Sequence, residues 1–112
     1  MNRSNANSSA MKIEWSQPAR DDLAQIRAHI AADSPRYARQ FSERIIGAVR
    51  KLCEFPLIGR KVPEADLDNV RELIFQNYRI IYHVEEHHLF VLSVTHGSRD
   101  LTRQSNQPWE IG

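Results

Sequence analysis

Cysteine is nearly absent from this chain of 112 residues, which has a single thiol at Cys53. One cysteine cannot form an internal disulfide or a cysteine-based metal site, and its isolation is typical of a reducing compartment. Cys53 falls in the apolar pattern of a helix, between Leu52 and Phe55. We therefore expect a packed thiol there rather than a nucleophile.

Long apolar runs are missing too. The longest, 80–82 and 89–92, have the length of strands and exclude a transmembrane helix. The first ten residues contain no apolar stretch of the secretory type, so we expect a cytoplasmic protein without a signal peptide. The four glycines are scattered, so the sequence has no glycine-rich phosphate loop.

Excess charge of either sign is also lacking, since the formal net charge is +1. This balance predicts no electrostatic footprint for nucleic acid. The cations are nonetheless unusual in kind, with twelve arginines against three lysines. Arginine presents a rigid planar fork of donors that suits carboxylates, phosphates and protein interfaces. Each arginine therefore has two interpretations, a solvated position on a helix face or a contact with a partner.

The length predicts one domain, flanked by polar segments. Residues 1–10 are rich in Asn and Ser, and we expect them to form a disordered leader. Residues 102–112 form a polar C-terminal tail, in which Trp109 and Ile111 could dock on the body or on a partner. The single folded domain is expected at 11–101.

Two helices are predicted in the first half of the domain, after a short alternating strand at 11–15. Ser16 is placed to cap a helix whose apolar residues recur at spacings of four, three and four. Ser34 and Pro35 then begin a second helix, which we expect to end at Pro56. The apolar stripes are Ala19, Leu23, Ile26 and Ile30 in the first helix and Phe41, Ile45, Ala48, Val49 and Leu52 in the second.

Three strand-like runs follow at 70–75, 78–84 and 89–95, each rich in β-branched and aromatic residues. Their connections are short enough for hairpins, and Asn77 tolerates a left-handed turn position. The predicted fold is therefore α+β, in the order β-α-α-β-β-β. A helical hairpin packs on a small, mostly antiparallel sheet.

Four cationic or titratable side chains are candidates for a functional surface on this sheet: Arg71, Arg79, His96 and Arg99. Alternation along the middle strand places Arg79 on one face of the sheet and Tyr78 and Tyr82 on the other. We expect the two tyrosines to form or support the core. Arginines on a sheet face are a common means of binding phosphate or acidic groups. The alternative for Arg79 is a cross-strand ion pair with Glu72 or Glu85.

Other catalytic chemistries lack a supporting pattern. The five histidines match no zinc-ligand spacing, so we expect no metal site and no cofactor. Ser93, His96 and Asp100 can be written as a triad, but no nucleophile-elbow motif supports it.

Five segments, taken in order, resemble the ParE/RelE family of toxins. They are DDLAQI in the first helix, FPLIGR at 55–60, VREL at 70–73, YRIIY at 78–82 and VTHGSRDL at 94–101. Each is weak by itself, but their order and spacing are specific, and the resemblance covers residues 11–101. It implies the toxin half of a type II toxin–antitoxin pair, with a helical hairpin on a small antiparallel sheet.

The resemblance implies one of two activities. RelE-like toxins cleave mRNA in the ribosomal A site, whereas ParE-like toxins inhibit DNA gyrase. RNA cleavage needs a base for the ribose 2′-hydroxyl, a group that stabilises the phosphorane charge and an acid for the leaving oxygen. A third alternative is a non-toxic remnant that only occupies its antitoxin.

Departures from the RelE-like pattern favour the ParE-like activity. Where RelE-like members carry two catalytic lysines, this chain has Val70 and Glu72, and a RelE-like arginine near the end of the last strand falls on Gly97. Arg79 does match a RelE-like functional arginine. We therefore expect a ParE-like inhibitor of DNA gyrase rather than an enzyme, neutralised by a ParD-like antitoxin. The ribosome and mRNA are the alternative partners.

Overall fold

The computed structural model describes residues 11–65, 67–98 and 108–110. The predicted leader at 1–10 lies outside the described residues, as does most of the predicted C-terminal tail. The elements, in chain order, are β1 (Lys12–Trp15), α1 (Gln17–Asp33), α2 (Pro35–Lys51), β2 (Arg60–Lys61), β3 (Val70–Phe75), β4 (Tyr78–Val84), β5 (His88–His96) and a short 3₁₀ helix (Pro108–Glu110).

Two serines define the helical hairpin. Ser16 Oγ accepts a hydrogen bond from the N–H of Ala19 at 3.1 Å, which caps the start of α1. Ser34 Oγ caps α2 in the same way, accepting from the N–H of Tyr37 at 3.1 Å. The N–H of Ser34 also donates to the Ile30 carbonyl at 2.9 Å, so one residue ends α1 and begins α2.

The second helix ends earlier than the sequence predicts. Its last residue is Lys51, whereas Pro56 was the expected stop. The N–H of Leu52 donates to the Val49 carbonyl and the N–H of Cys53 to the Arg50 carbonyl, so the ladder tightens to i→i−3 bonds. This tightening ends the helix before the proline is reached.

The strands form one five-stranded sheet in the order β1-β5-β4-β3-β2. β1 pairs in parallel with β5, and the other neighbours are antiparallel. The α+β prediction of a helical hairpin on a mostly antiparallel sheet is therefore confirmed. The two-residue β2 was not predicted, because a strand that short leaves no periodic signal.

The main core lies between the helices and one face of the sheet. Phe41, Ile45 and Val49 of α2 are at most 1% exposed and pack with Ile80 and Tyr82 of β4. Ala19 and Leu23 of α1 join the same cluster, as the helical stripes predict. Burial of these side chains is the main stabilising contribution to the fold.

A smaller cluster covers part of the opposite face. It consists of Val62, Val70 and Ile81, with Trp109 packed against it. Of the two destinations expected for Trp109, the structure therefore shows docking on the body. The cluster also places the loop that follows β2 over the sheet.

The turn between β3 and β4 contains a residue in the left-handed conformation. This residue is Gln76, one position before the expected Asn77. Gln76 has φ 54°, and among the described residues it is the non-glycine residue with positive φ. Asn77 was expected to take this role, but its carbonyl instead accepts from the N–H of Gly97 at 2.7 Å.

Cys53 is packed, as expected. Its Sγ is partly buried and donates to the Met11 carbonyl at 3.6 Å. Burial, with a smaller effect of Glu54, raises the pKa of the thiol above its usual value. Within the described ranges, no helix has the length and hydropathy needed to cross a membrane.

Candidate functional site

The two faces of the sheet carry different chemistry. Residues paired across neighbouring strands share a face, and Tyr78, Ile80 and Tyr82 face the helices. Arg79 and Ile81 of β4 therefore face the opposite side, which we call the far face. The loop after β2 and Trp109 cover part of this far face.

Arg79 lies on the far face and is only 5% exposed. Its Nε donates to Glu72 Oε1, and its two terminal nitrogens donate to Glu64 at 2.8 and 3.1 Å. Glu72 also accepts from Nε of Arg60, whose side chain is 66% exposed. Among the described residues, two guanidinium groups and two carboxylates thus belong to one ion-pair network. Arg79 therefore forms the ion pair with Glu72 that the sequence offered as an alternative. Its second partner, Glu64, was not predicted.

The network also acts on the pKa of Arg79. The hydrogen bonds that Arg79 donates to Glu64 have the largest effect and raise the pKa of the guanidinium, while burial acts in the opposite direction. All three nitrogens of Arg79 donate to carboxylate oxygens. A phosphate could approach this arginine only by displacing Glu64, at the cost of leaving that carboxylate without these bonds.

Arg71 lies on the face opposite Arg79. It pairs in register with Tyr82, which faces the helices. Its guanidinium donates to the carbonyls of Gly59 at 3.1 Å and Asp68 at 3.0 Å. Arg71 therefore secures two loops at the edge of the sheet, and the structure does not bring it together with Arg79.

The FPLIGR segment, residues 55–60, is held in place by a buried tyrosine. The hydroxyl of Tyr82 donates to the Pro56 carbonyl at 2.8 Å and accepts from the N–H of Gly59 at 3.0 Å. A Cβ atom on Gly59 would lie 2.5 Å from that hydroxyl and from the Glu72 carbonyl oxygen, so glycine is required by close approach. Tyr82 supports the core as expected, and also holds this turn.

His96 ends β5 on the helix-facing side, in register with Tyr78. The two rings meet edge to face with centroids 5.9 Å apart. The N–H and the hydroxyl of Ser98 both lie within hydrogen-bond distance of Nδ1 of His96, at 3.3 and 2.8 Å. The side chain is exposed to solvent. Arg99, the remaining candidate, lies outside the described residues.

The three candidates that the structure describes therefore do not form one cluster. Arg71 and His96 lie on the helix-facing side, and Arg79 lies on the far face. Sequence reasoning missed Glu64 and Arg60 as partners in the ion network. Neither had a signal, because Arg60 lies in the two-residue β2 and Glu64 in the loop after it, where no periodicity assigns a face. Within the ranges that the structure describes, His, Cys, Asp and Glu side chains form no group suited to a metal ion.

Solved structures of toxins share this architecture. The chromosomal ParDE toxin–antitoxin system from P. aeruginosa matches with a TM-score of 0.65 and 21% identity, covering 79% of this chain and 97% of that chain. The RelBE2 toxin–antitoxin complex from Mycobacterium tuberculosis matches with a TM-score of 0.54 and 21% identity, covering 78% and 98%. A mutant of the E. coli toxin RelE in the free state matches with a TM-score of 0.53 and 16% identity, covering 80% of this chain and 85% of that chain. The fold is thus the RelE/ParE-like fold.

Sequence comparison places the chain within this group. The sequence model of the ParE toxin of type II toxin–antitoxin systems matches residues 13–101. The chain therefore belongs to the ParE toxin family, as its motifs suggested. No curated protein sequence matches it.

Proposed function

We propose that this ParE-family toxin acts in the cytoplasm by binding and inhibiting DNA gyrase, without hydrolytic chemistry of its own. One observation carries the choice of mechanism. Arg79 matches a functional arginine of RelE-like toxins, yet its guanidinium is buried and donates to two carboxylates. An arginine held in this way is poorly placed to stabilise the charge of a phosphorane.

The neighbouring positions support the same choice. Val70 and Glu72 stand where the resemblance places the two catalytic lysines of RelE-like toxins, and they are 2% and 1% exposed. A buried carboxylate beside the scissile phosphate would raise the negative charge in the transition state. Binding to a protein target does not require either lysine.

The proposed contacts with gyrase are made by His96, the last residue of β5, and by Arg99. His96 is exposed and its ring is oriented by Ser98 and Tyr78. Arg99 is two residues beyond Gly97, in the VTHGSRDL segment that resembles ParE toxins. Arg71 and Arg79 are proposed to act indirectly, by holding the loops and strands that position this surface.

The proposed natural inhibitor is a ParD-like antitoxin. Two of the structures that share the fold are described as toxin–antitoxin systems or complexes. By analogy, the antitoxin would supply a segment that is disordered by itself and folds on contact with the toxin.

The decisive experiment incubates purified toxin with DNA gyrase and supercoiled plasmid and measures linear plasmid trapped by the enzyme. Linear product that disappears on addition of the antitoxin is expected. No effect on gyrase, together with cleavage of mRNA on purified ribosomes, would establish the nuclease alternative. Normal growth of cells that express the toxin without its antitoxin would instead identify a non-toxic remnant.

Substitutions at the end of β5 test the contact surface. His96→Ala combined with Arg99→Ala should reduce gyrase inhibition about tenfold or more, the loss typical of charged residues at an interface centre. His87→Ala, in the exposed turn between β4 and β5, is the control and should keep full activity. Equal inhibition by both proteins would place the gyrase contact elsewhere.

A further inference from the structure

The outer edge of β1 is open. β1 is the first strand in the order of the sheet, so among the described residues only β5 pairs with it. The N–H groups of Lys12 and Ser16 donate to backbone carbonyls on the β5 side, both at 2.9 Å. Backbone groups alternate along a strand, so those of Ile13 and Trp15 point outward. An edge with outward backbone groups can accept another strand.

The two faces of β1 carry different side chains. Ile13 and Trp15 are partly buried and pack against the main core, whereas Lys12 and Glu14 are exposed on the far face. Within the described part of the chain, neither Lys12 nor Glu14 forms an ion pair. A lysine on an edge strand usually discourages pairing, because it brings a charge against the incoming strand. This edge also offers a carboxylate on the same face, so it can neutralise a lysine that approaches it.

The pattern of β1 is complementary to itself. If a twofold axis passes through Ile13, two β1 strands run antiparallel and Ile13 exchanges both backbone hydrogen bonds with its own copy. Lys12 of each copy then lies opposite Glu14 of the other, so opposite charges meet on both sides of the axis. An axis at Glu14 would also pair outward backbone groups, but it would place the two Glu14 side chains opposite each other. Charge therefore selects the register centred on Ile13.

The helix-facing side of the same register is apolar. Met11 of one copy lies opposite Trp15 of the other, and both residues are partly exposed in the single chain. A thioether packs favourably against an aromatic ring. Trp15 also lines a pocket of about 350 Å³, whose apolar residues include Leu23 and Ile46. Pairing would therefore cover apolar surface at both ends of β1.

We propose that two copies of this chain pair through β1 in the register centred on Ile13 and form a homodimer with one continuous sheet. The paired segment is a strand of 4 residues, so we expect a reversible dimer with a dissociation constant of roughly 10 µM. β1 pairs with the first half of β5, whereas His96 ends that strand, so the dimer leaves the proposed gyrase contact open. The inference goes beyond the proposed function and does not depend on it.

Sedimentation equilibrium of the purified full-length toxin tests dimerisation. Between about 1 and 300 µM, the wild type should pass from monomer to dimer. A monomer at every concentration in this range would overturn the proposal.

Strand pairing is tested by removing one backbone donor. Ile13→Pro deletes the outward N–H of Ile13 and leaves the bonds between β1 and β5 in place, because those bonds use the neighbouring residues. Ile13→Ala removes the same apolar side chain but keeps the N–H. We expect the proline variant to dimerise at least about tenfold more weakly than the alanine variant. Equal dissociation constants would overturn strand pairing.

Charge reversal provides a second test that does not depend on the proline variant folding. Lys12→Glu and Glu14→Lys each bring like charges together across the axis, so each should weaken dimerisation at least about tenfold at low salt. A mixture of these two variants should dimerise again, because every facing pair in the mixed dimer has opposite charges. Lys61→Glu, on β2 at the other end of the sheet, is the control and should dimerise like the wild type. A mixture that stays monomeric, or an equal loss in the control, would overturn the register.

Two further outcomes would assign β1 or the dimer differently. A wild-type dimer that all of these β1 variants leave unchanged would place the interface elsewhere and overturn the proposal. A toxin that stays monomeric by itself, but loses affinity for its antitoxin in Ile13→Pro and not in Ile13→Ala, would assign the edge to the antitoxin and overturn it as well.

Discussion

The role of Arg79 is decided by the carboxylates around it. A guanidinium stays charged at every accessible pH, so it can be buried only where anions and hydrogen bonds replace water. Glu72 and Glu64 provide both, and their side chains are 0% and 16% exposed. The same residue type that binds phosphate on an open sheet face therefore holds the β2–β3 loop against the sheet here.

Arg79→Ala should lower the free energy of unfolding by about 3–5 kcal/mol, because it removes the buried guanidinium that binds the buried carboxylate of Glu72 and the partly buried one of Glu64. Arg60→Ala is the control. It removes the exposed end of the same network and should cost much less, since Arg79 still neutralises Glu72. Urea unfolding of both variants measures the difference. A loss below about 1 kcal/mol for Arg79→Ala would mean that the network does not stabilise the fold.

Tyr82 gives the fold a dependence on alkaline pH. Burial, opposed by smaller effects of the Gly59 hydrogen bond and of Arg71, raises its pKa above the usual value of 10.0. The folded chain therefore keeps a proton that the unfolded chain loses. The contribution of the Tyr82 hydroxyl to the free energy of unfolding is complete below the pKa of the unfolded chain. It is lost as the pH rises through the pKa of the folded chain.

Between about pH 9 and pH 11, the free energy of unfolding should therefore fall less for Tyr82→Phe than for the wild type. At neutral pH the same change should cost about 1–3 kcal/mol, because the buried N–H of Gly59 loses its acceptor. Urea titrations across this pH range provide both values. Parallel curves for the two proteins would contradict the assignment of the alkaline effect to Tyr82.

At the scale of elements, the fold depends on contacts between units that are far apart in sequence. Asp22 of α1 accepts from the hydroxyl of Ser93 at 3.1 Å and from the N–H of Val94 at 2.9 Å. These bonds fall next to the register shift between β4 and β5, at Ile81 and Tyr82. Asp22 therefore binds a backbone N–H at this irregularity and connects α1 to β5.

The β3–β4 turn carries a backbone conformation that its residue does not favour. Gln76→Gly should raise the free energy of unfolding by about 1 kcal/mol, because glycine takes φ 54° without a Cβ clash. Asn77→Gly is the control and should not stabilise, since Asn77 does not have positive φ. Thermal unfolding measures both variants. A stabilisation by Asn77→Gly alone would show that the left-handed residue had been misassigned.

At the scale of the whole molecule, the outer edge of the sheet lies close to the surface proposed to contact gyrase. Phe75, Tyr78 and His96 lie in one row across β3, β4 and β5. Neighbouring strands are about 4.8 Å apart, so about 10 Å separates Phe75 from His96.

Much of the fold follows from local sequence. The serine caps, the helical stripes and the three β-rich runs are short-range signals, and each corresponds to an element in the structure. Resemblance of the motifs also indicated the ParE toxin family, which the match to residues 13–101 confirms. These features need no knowledge of distant contacts, because caps and periodicity act within one or two turns of chain.

Tertiary structure alone decided the contacts on the far face of the sheet. Glu64 meets Arg79 from the loop after β2, and Arg60 meets Glu72 from β2, and no periodic pattern encodes that path. Arg71 and Arg79 were expected on one surface, but strand pairing places them on opposite faces. Sequence thus determined which elements form and the family to which they belong. The packing of loops on the sheet determined which charges meet, because those contacts join residues that no local rule connects.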